Sequence, residues 1–239
     1  MYCAIILTVV VACVAGQRHA DGPQFEAGLP LRQVGEKTVP KLWPKAKVPY
    51  SISSSIVSDS KIRAIREPMQ DIEANTCIKF VNKRPSDTEY INIQTDRAAC
   101  SAQIGQQTGI NQLNLADSCY DYPTIALLIL HSLGLCNEHN REDRDKYVEI
   151  NMDNIRSLHQ RKFEKLTRAQ CPVLDTPYDI KSLTHFDGKA FGTKKGARDW
   201  TIRSLKTPSA TLGNSRISAG DYQKLNNLYC GGSGGRGRS

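Results

Sequence analysis

The stretch that decides the reading is TIALLILHSLGLCNEHNREDRD, Thr124 to Asp145. Ile125 to Leu130 form an uninterrupted apolar run that reads as core. Each Leu taken from water there contributes roughly 1.5–3 kcal/mol. His131, directly after the run, is the single imidazole of the helix, and Gly134 lets the chain turn where the helix ends. Glu138, Arg141, Asp143, Arg144 and Asp145 make a charged close. A helix with two His at i and i+4 and a Glu beside the first presents two nitrogens and a base to one metal ion. This helix has one His, and Asn137 beyond it offers only a neutral amide oxygen, a hard ligand poorly suited to zinc.

The same stretch resembles the zinc-binding helix of the astacin-type metalloproteases, a branch of the metzincins, written HExxHxxGxxHE and followed by xxRxDRD. His131, Gly134, Glu138, Arg141, Asp143, Arg144 and Asp145 match that pattern. Leu127 stands at the first ligand His, Leu128 at the general-base Glu and Asn137 at the third ligand His. Catalytic zinc needs about three protein ligands and a water whose pKa falls from ~15.7 to ~7. Removing a general base alone costs ~10²–10⁴ in rate. The resemblance therefore implies a pseudoprotease with no catalytic residue and no metal, His131 remaining as a relic ligand. It also implies that Arg141, Asp143, Arg144 and Asp145 form buried charge networks, and that Glu138 receives the freed mature N-terminus.

Two distant segments carry the same resemblance. PYDIKSLTHF, Pro177 to Phe186, is similar to the astacin Met-turn S-x-M-H-Y: Ser182 and His185 match, but Thr184 stands for the Met and Phe186 for the metal-associated Tyr. Phe lacks the hydroxyl that would touch a metal or donate to an oxyanion. FEAGLP, Phe25 to Pro30, resembles the propeptide switch F-x-G-D, with Leu29 rather than Asp after Gly28.

Residues 2–15, YCAIILTVVVACVA, followed by Gly16 before Gln17, read as a secretory signal peptide without a basic n-region. The run is too short for a comfortable membrane span. The expected organisation is a signal peptide at 1–16, a short prosegment at 17–37, an astacin-like domain at 38–230 and a flexible Gly-rich basic tail at 231–239. Of eight cysteines, Cys3 and Cys13 leave with the signal peptide, so six remain, which allows about 15 connectivities. The resemblance implies the bridges Cys77–Cys230 and Cys100–Cys119. Cys136 and Cys171 are left over: they pair with each other, or Cys136 is a thiol nucleophile with His139 three residues on.

KVPYSI alternates as a strand, with Val48, Tyr50 and Ile52 on one side. Ser58 or Asp59 caps a helix carrying Ile62, Ile65, Met69 and Ile72, and Pro68 predicts a kink in it. TCIKFVNK and EYINIQTD read as strands. Cys100, Ser101, Ala102 and Gln103 read as an edge strand above the cleft, Ile155 to Phe163 as helical, and Ser218 to Cys230 as a terminal helix capped at Ser218. The resemblance, which spans Lys41 to Cys230, implies an α+β fold. Its twisted, mostly parallel sheet and two long helices lie in the N-terminal half, and an irregular C-terminal half ends in a helix.

Lys and Arg number 32 against 24 Asp and Glu, a formal net charge of +8, concentrated in KLWPKAK, KKGAR and RGRS. Outside a cell such a surface favours acidic glycans, acidic matrix proteins or anionic surfaces. Nucleic acid is not an expected partner, since no recognition motif is present. The functional expectation is a secreted, extracellular, monomeric pseudoprotease that binds a peptide, protein or matrix component. It would have no cofactor and no membrane span. The alternatives are a residual zinc metalloendopeptidase, for which zinc would be the cofactor, and a structural component of an extracellular coat or secretion.

Overall fold

The computed structural model describes residues 39–95, 100–171, 175–193 and 199–231. The expected signal peptide, the prosegment with its FEAGLP echo, the KKGAR run and the tail from residue 232 lie outside the described residues.

Strands β1 (Lys47–Ile52), β2 (Lys79–Asn82), β3 (Tyr90–Gln94), β4 (Ser101–Ala102) and β5 (Ile110–Asn114) form one sheet in the order β2-β1-β3-β5-β4. β1, β2, β3 and β5 are mutually parallel, and β4 closes the edge antiparallel to β5. Helices α1 (Asp59–Asn75) and α2 (Tyr122–Ser132) pack on each other and against this sheet, α2 beneath β4 and β5. Val48, Ile91, Ile93 and Leu113 point into the resulting core with Ile65, Ile72, Leu128 and Ile129. The alternation seen in KVPYSI is the physical cause: every second side chain enters the core.

Local differences from the sequence reading have physical reasons. Ser58 occupies the N-cap position of α1, but its hydroxyl meets Ser60 Oγ at 2.8 Å instead of capping. α1 continues through the buried Pro68 to Asn75. The segment expected to be helical, Ile155 to Phe163, is a 3-10 helix over Ser157–Phe163, and a separate 3-10 turn, Met152–Asn154, precedes it. Ile155 between them is extended because it bridges Gly192 and buries its side chain in a second, smaller core with Val148, Phe163 and Ile202. That core carries the two-stranded sheet of β6 (Val148–Ile150) and β7 (Ile202–Ser204). The chain then ends in α3 (Ala219–Tyr229), which begins with a capping box between Ser218 and Asp221. The α+β architecture is thus as expected from the resemblance, irregular C-terminal half included. No described helix is long and apolar enough to cross a membrane.

Candidate functional site

The site begins with how α2 starts and stops. Asp121 caps it, Oδ1 accepting from the Thr124 N–H at 2.9 Å and Oδ2 from the Thr124 hydroxyl at 2.8 Å. At its end the Gly134 N–H reaches the His131 carbonyl and the Leu135 N–H reaches that of Leu130. This is a Schellman closure with Gly134 at φ +97°. The left-handed backbone is what favours glycine here; a Cβ at Gly134 would also crowd Leu42 Cδ2 at 3.3 Å. The reversed chain carries Asn137 back beside His131.

His131 is fully buried, and its Nε2 lies 3.1 Å from Asn137 Oδ1. The amide is oriented by a chain of donors: Asn137 Nδ2 donates to Asn140 Oδ1 at 3.2 Å, and Asn140 Nδ2 donates to the Lys162 and Glu164 carbonyls. Asn137 Oδ1 therefore faces His131, and the proton of the ring sits on Nε2. His131 Nδ1 is buried with no hydrogen-bond partner. Burial pushes the ring's pKa down to about 4, so it is neutral at pH 7.

Leu127 lies one turn before His131 on the same side of α2. Leu128 is fully buried in the first core, but Leu127 keeps 8% exposure and belongs to neither core cluster. Both leucines are buried, as expected, Leu127 at the margin of the first core. Leu127, His131 and Asn137 together offer one protonated ring nitrogen, one amide and one aliphatic group. That donor set does not fit a zinc ion.

The segment at Ser182 to Phe186 packs against this site. Ser182 Oγ donates to Asp221 Oδ1 at 2.6 Å, and the Leu183 N–H donates to Asp221 Oδ2 at 2.8 Å, so α3 holds the turn. Thr184 Oγ1 accepts from the Glu138 N–H at 3.1 Å. Phe186 stacks on His139 with ring centroids 3.8 Å apart. His185 Nδ1 donates to the Phe186 carbonyl at 2.6 Å, which leaves Nε2 to accept from the Tyr178 hydroxyl at 2.9 Å. Burial pushes His185 down to about 4 and holds His139 well below its ordinary range, helped by the neighbouring His185.

Glu138 is the hub of the charges. Its Oε1 accepts from Arg141 Nη1 at 3.0 Å and from the Asp179 N–H at 2.8 Å, and its Oε2 accepts from Lys224 Nζ at 2.5 Å. The resemblance assigns this carboxylate to a freed N-terminus; among the described residues the cation on Oε2 is Lys224. Arg141 also clamps Asp143 with two bonds of 2.9 Å. Arg144 donates to the His139 carbonyl at 3.0 Å and to the Phe163 carbonyl. Asp145 departs from the expected buried network: it is exposed, paired with Arg144 at 3.0 Å and Lys165 at 2.7 Å.

Cysteines tie the frame together. Cys77 is bonded to Cys230 and Cys100 to Cys119, with Cα atoms 5.6 and 6.1 Å apart. Cys136 is bonded to Cys171, Cα atoms 5.8 Å apart, so the thiol alternative has no free sulfur. Of the expected edge strand, regular pairing covers only Ser101–Ala102; Cys100 is buried in its disulfide and Gln103 lies beyond. Sequence reasoning did not single out Lys224 or Asn140. Lys224 left a signal, since it falls between Asp221 and Leu225 on the buried face of α3; Asn140 left none.

The family model described as Astacin (Peptidase family M12A) matches residues 35–230. The zinc metalloproteinase nas-14 of Caenorhabditis elegans is 35% identical over 195 residues, 80% of this chain and 38% of that protein. The low choriolytic enzyme of Oryzias latipes is 34% identical over 195 residues, 78% of this chain and 68% of that protein. Among solved structures, high choriolytic enzyme 1, a hatching-enzyme zinc protease of the same fish, is similar with a TM-score of 0.72 at 28% identity. That likeness covers 80% of this chain and 94% of the other. The chain spans 38% and 50% of the lengths of two of its Caenorhabditis relatives, nas-14 and nas-7. With the parallel sheet, the buried α2 and the match over residues 35–230, the chain belongs to the astacin family, peptidase family M12A.

Proposed function

We propose that this astacin-family domain is a secreted, non-catalytic binding protein that holds an extended peptide or protein segment beside β4. The observation that carries the reading is the bond between His131 Nε2 and Asn137 Oδ1, 3.1 Å long. The two polar groups at the site serve each other, and Leu127 covers the third position. Among the described residues no group of three or more His, Cys, Asp or Glu could hold a metal. The switch-like FEAGLP, which has no Asp after Gly28, and Phe186 in place of a hydroxyl-bearing ring agree with loss of hydrolysis.

Peptide binding is supported by β4 at the sheet edge, where strand addition relies on backbone groups rather than metal. Gln103 Oε1, just past that strand, is buried with no hydrogen-bond partner, an acceptor that an incoming N–H would satisfy. Three disulfides support a secreted protein.

The test is zinc content and peptide cleavage of the purified, oxidised chain. The expected result is below ~0.1 zinc per chain, since one imidazole cannot supply a three-ligand site, with no cleavage. A library of extended peptides should shift the NMR signals of residues 100–104 and His131. Stoichiometric zinc that survives dialysis and is lost in His131→Ala overturns the reading in favour of a residual metalloendopeptidase, the activity named for the relatives. Peptide-induced shifts confined to other regions overturn the groove.

A further inference from the structure

The face of the five-stranded sheet turned away from the first core carries a built array that peptide binding at β4 does not use. Mostly parallel sheets are ordinarily covered on both faces and therefore apolar on both. Here Val48, Ile91, Ile93 and Leu113 on the inner face are at most 1% exposed. On the outer face Pro49, Val81 and Ile110 are apolar, but Ser51, Asn92, Gln94, Gln112, Asn114 and Ser101 are polar and bonded into one line across four strands. Ser51 Oγ on β1 donates to Asn92 Oδ1 on β3 at 3.0 Å. Asn92 Nδ2 donates to Gln94 Oε1 at 3.0 Å and to Gln112 Oε1 on β5 at 3.1 Å. Gln94 Nε2 donates to Asn114 Oδ1 at 2.9 Å, and Asn114 Nδ2 donates to Ser101 Oγ on β4 at 2.9 Å.

Each bond fixes a rotamer, so the cost of ordering these side chains is met before anything binds. The amides keep unused donor and acceptor capacity at the half-buried positions, because a primary amide has two N–H groups and two lone pairs. At one end of the line the chemistry changes. Tyr90 and the 48%-exposed Ile110 are register partners on β3 and β5 and lie on this same face. Lys83 Nζ sits 4.6 Å from the Tyr90 ring centroid. Lys47, exposed on β1, is the register partner of Lys79 on the outer strand β2, and the Lys79 ammonium turns to the Glu73 carbonyl of α1 at 3.4 Å. The face-directed positions of β1, β2, β3 and β5 carry no carboxylate; the acids beside the start of β3 are Asp87, held by Arg84, and Glu89, held by Lys41 and Gln106.

We propose that this face binds an acidic polysaccharide: the amide line takes the hydroxyls, Tyr90 stacks on a sugar ring, and Lys47 and Lys83 take the sulfate or carboxylate groups. A pre-ordered hydroxyl-and-amide surface with one aromatic ring suits a sugar chain better than a nucleic acid, which needs stacked rings along a groove.

The experiment uses the full oxidised chain with heparin (sulfate and carboxylate), hyaluronan (carboxylate alone) and neutral dextran, by calorimetry at fixed salt. Binding to heparin or hyaluronan and not to dextran is expected, and which of the two wins identifies the acid group. Lys47→Glu with Lys83→Glu should weaken binding at least tenfold. Asn92→Ala with Gln112→Ala, which leaves the charge intact, should weaken it several-fold. Arg161→Glu with Lys165→Glu, the same charge change elsewhere, should change it less than twofold. Wild-type amide signals of Tyr90, Ile110 and Gln112 should shift on adding a heparin tetrasaccharide, a readout needing no variant to fold. The proposal is overturned by absence of binding to both polysaccharides, by an equal loss in the Arg161/Lys165 variant, by shifts confined elsewhere, or by duplex DNA competing equally while Asn92→Ala/Gln112→Ala has no effect.

Discussion

Lys224 Nζ on α3 lies 2.5 Å from Glu138 Oε2 after α2, and both side chains are buried, so two elements 86 residues apart are joined by an ion pair formed out of water. A buried pair contributes little net stability when whole, but it is costly to break on one side.

Lys224→Met is therefore expected to cost up to ~3–5 kcal/mol, because Glu138 keeps its charge and loses one of its two buried cations, Arg141 remaining on Oε1. At roughly 2–4 °C per kcal/mol for a domain of this size, the melting temperature should fall by up to about 6–20 °C. Adding Glu138→Gln to Lys224→Met should recover part of that loss. A fall of under a degree in Lys224→Met would show that water reaches the pair.

Leu127→His, Leu128→Glu and Asn137→His together place three imidazoles and a carboxylate around the site that His131 already occupies. Without metal this triple variant should be less stable by several kcal/mol, since leucines leave buried sites and polar groups enter without partners. Zinc should restore much of it by binding only the folded state. The readout is heat denaturation with and without zinc. An unchanged melting temperature in a folded variant would mean that positions 127, 131 and 137 do not converge on one ion.

Acid should destabilise the fold between pH ~6.5 and ~4. His131 and His185 titrate near 6.5 in the unfolded chain and at about 4 in the fold. Between these values the unfolded chain binds more protons, so stability is complete above ~6.5 and falls as pH drops toward ~4. Each ring accounts for roughly 3 kcal/mol across that window. Urea midpoints at pH 7.5, 5.5 and 4.5 measure the slope, and His131→Leu should flatten it markedly. A midpoint independent of pH over this range would place both rings in water.

Cys136 and Cys171 should resist alkylation in the unreduced, denatured protein, detected by intact mass. Replacing both with Ser should cost roughly 4 kcal/mol in the chain-entropy model, given the sequence separation of 35. Addition of an alkyl group at Cys136 without reductant would reopen the thiol reading.

Much of the fold was legible because local rules and tertiary packing agree. The alternation of Val48, Tyr50 and Ile52, the Ser218–Asp221 capping box and the Gly134 turn each sit where a short pattern demands them. The segment from Ile155 to Phe163 was legible only in part: Ser157–Phe163 is helical, of 3-10 type. Its expected start fails because Ile155 extends to meet Gly192, a partner 37 positions away that no local window contains. Asp145 was misjudged for a related reason: burial of a charge depends on where the next segment passes, and Lys165 meets it at the surface.

What the sequence by itself determined is the composition of the site: Leu127, Leu128 and Asn137 are read directly, and their donor chemistry follows from residue type. Only the tertiary structure decided where those groups point and whom they serve. The Asn140–Asn137–His131 chain, anchored by the Lys162 and Glu164 carbonyls, puts the proton on His131 Nε2, and Lys224 arrives from α3 to join Arg141 on Glu138. Both arrangements depend on a segment more than twenty residues away in the chain. A hydrogen bond or a buried charge pair is decided within a few tenths of an ångström, a scale at which residue type alone carries no information.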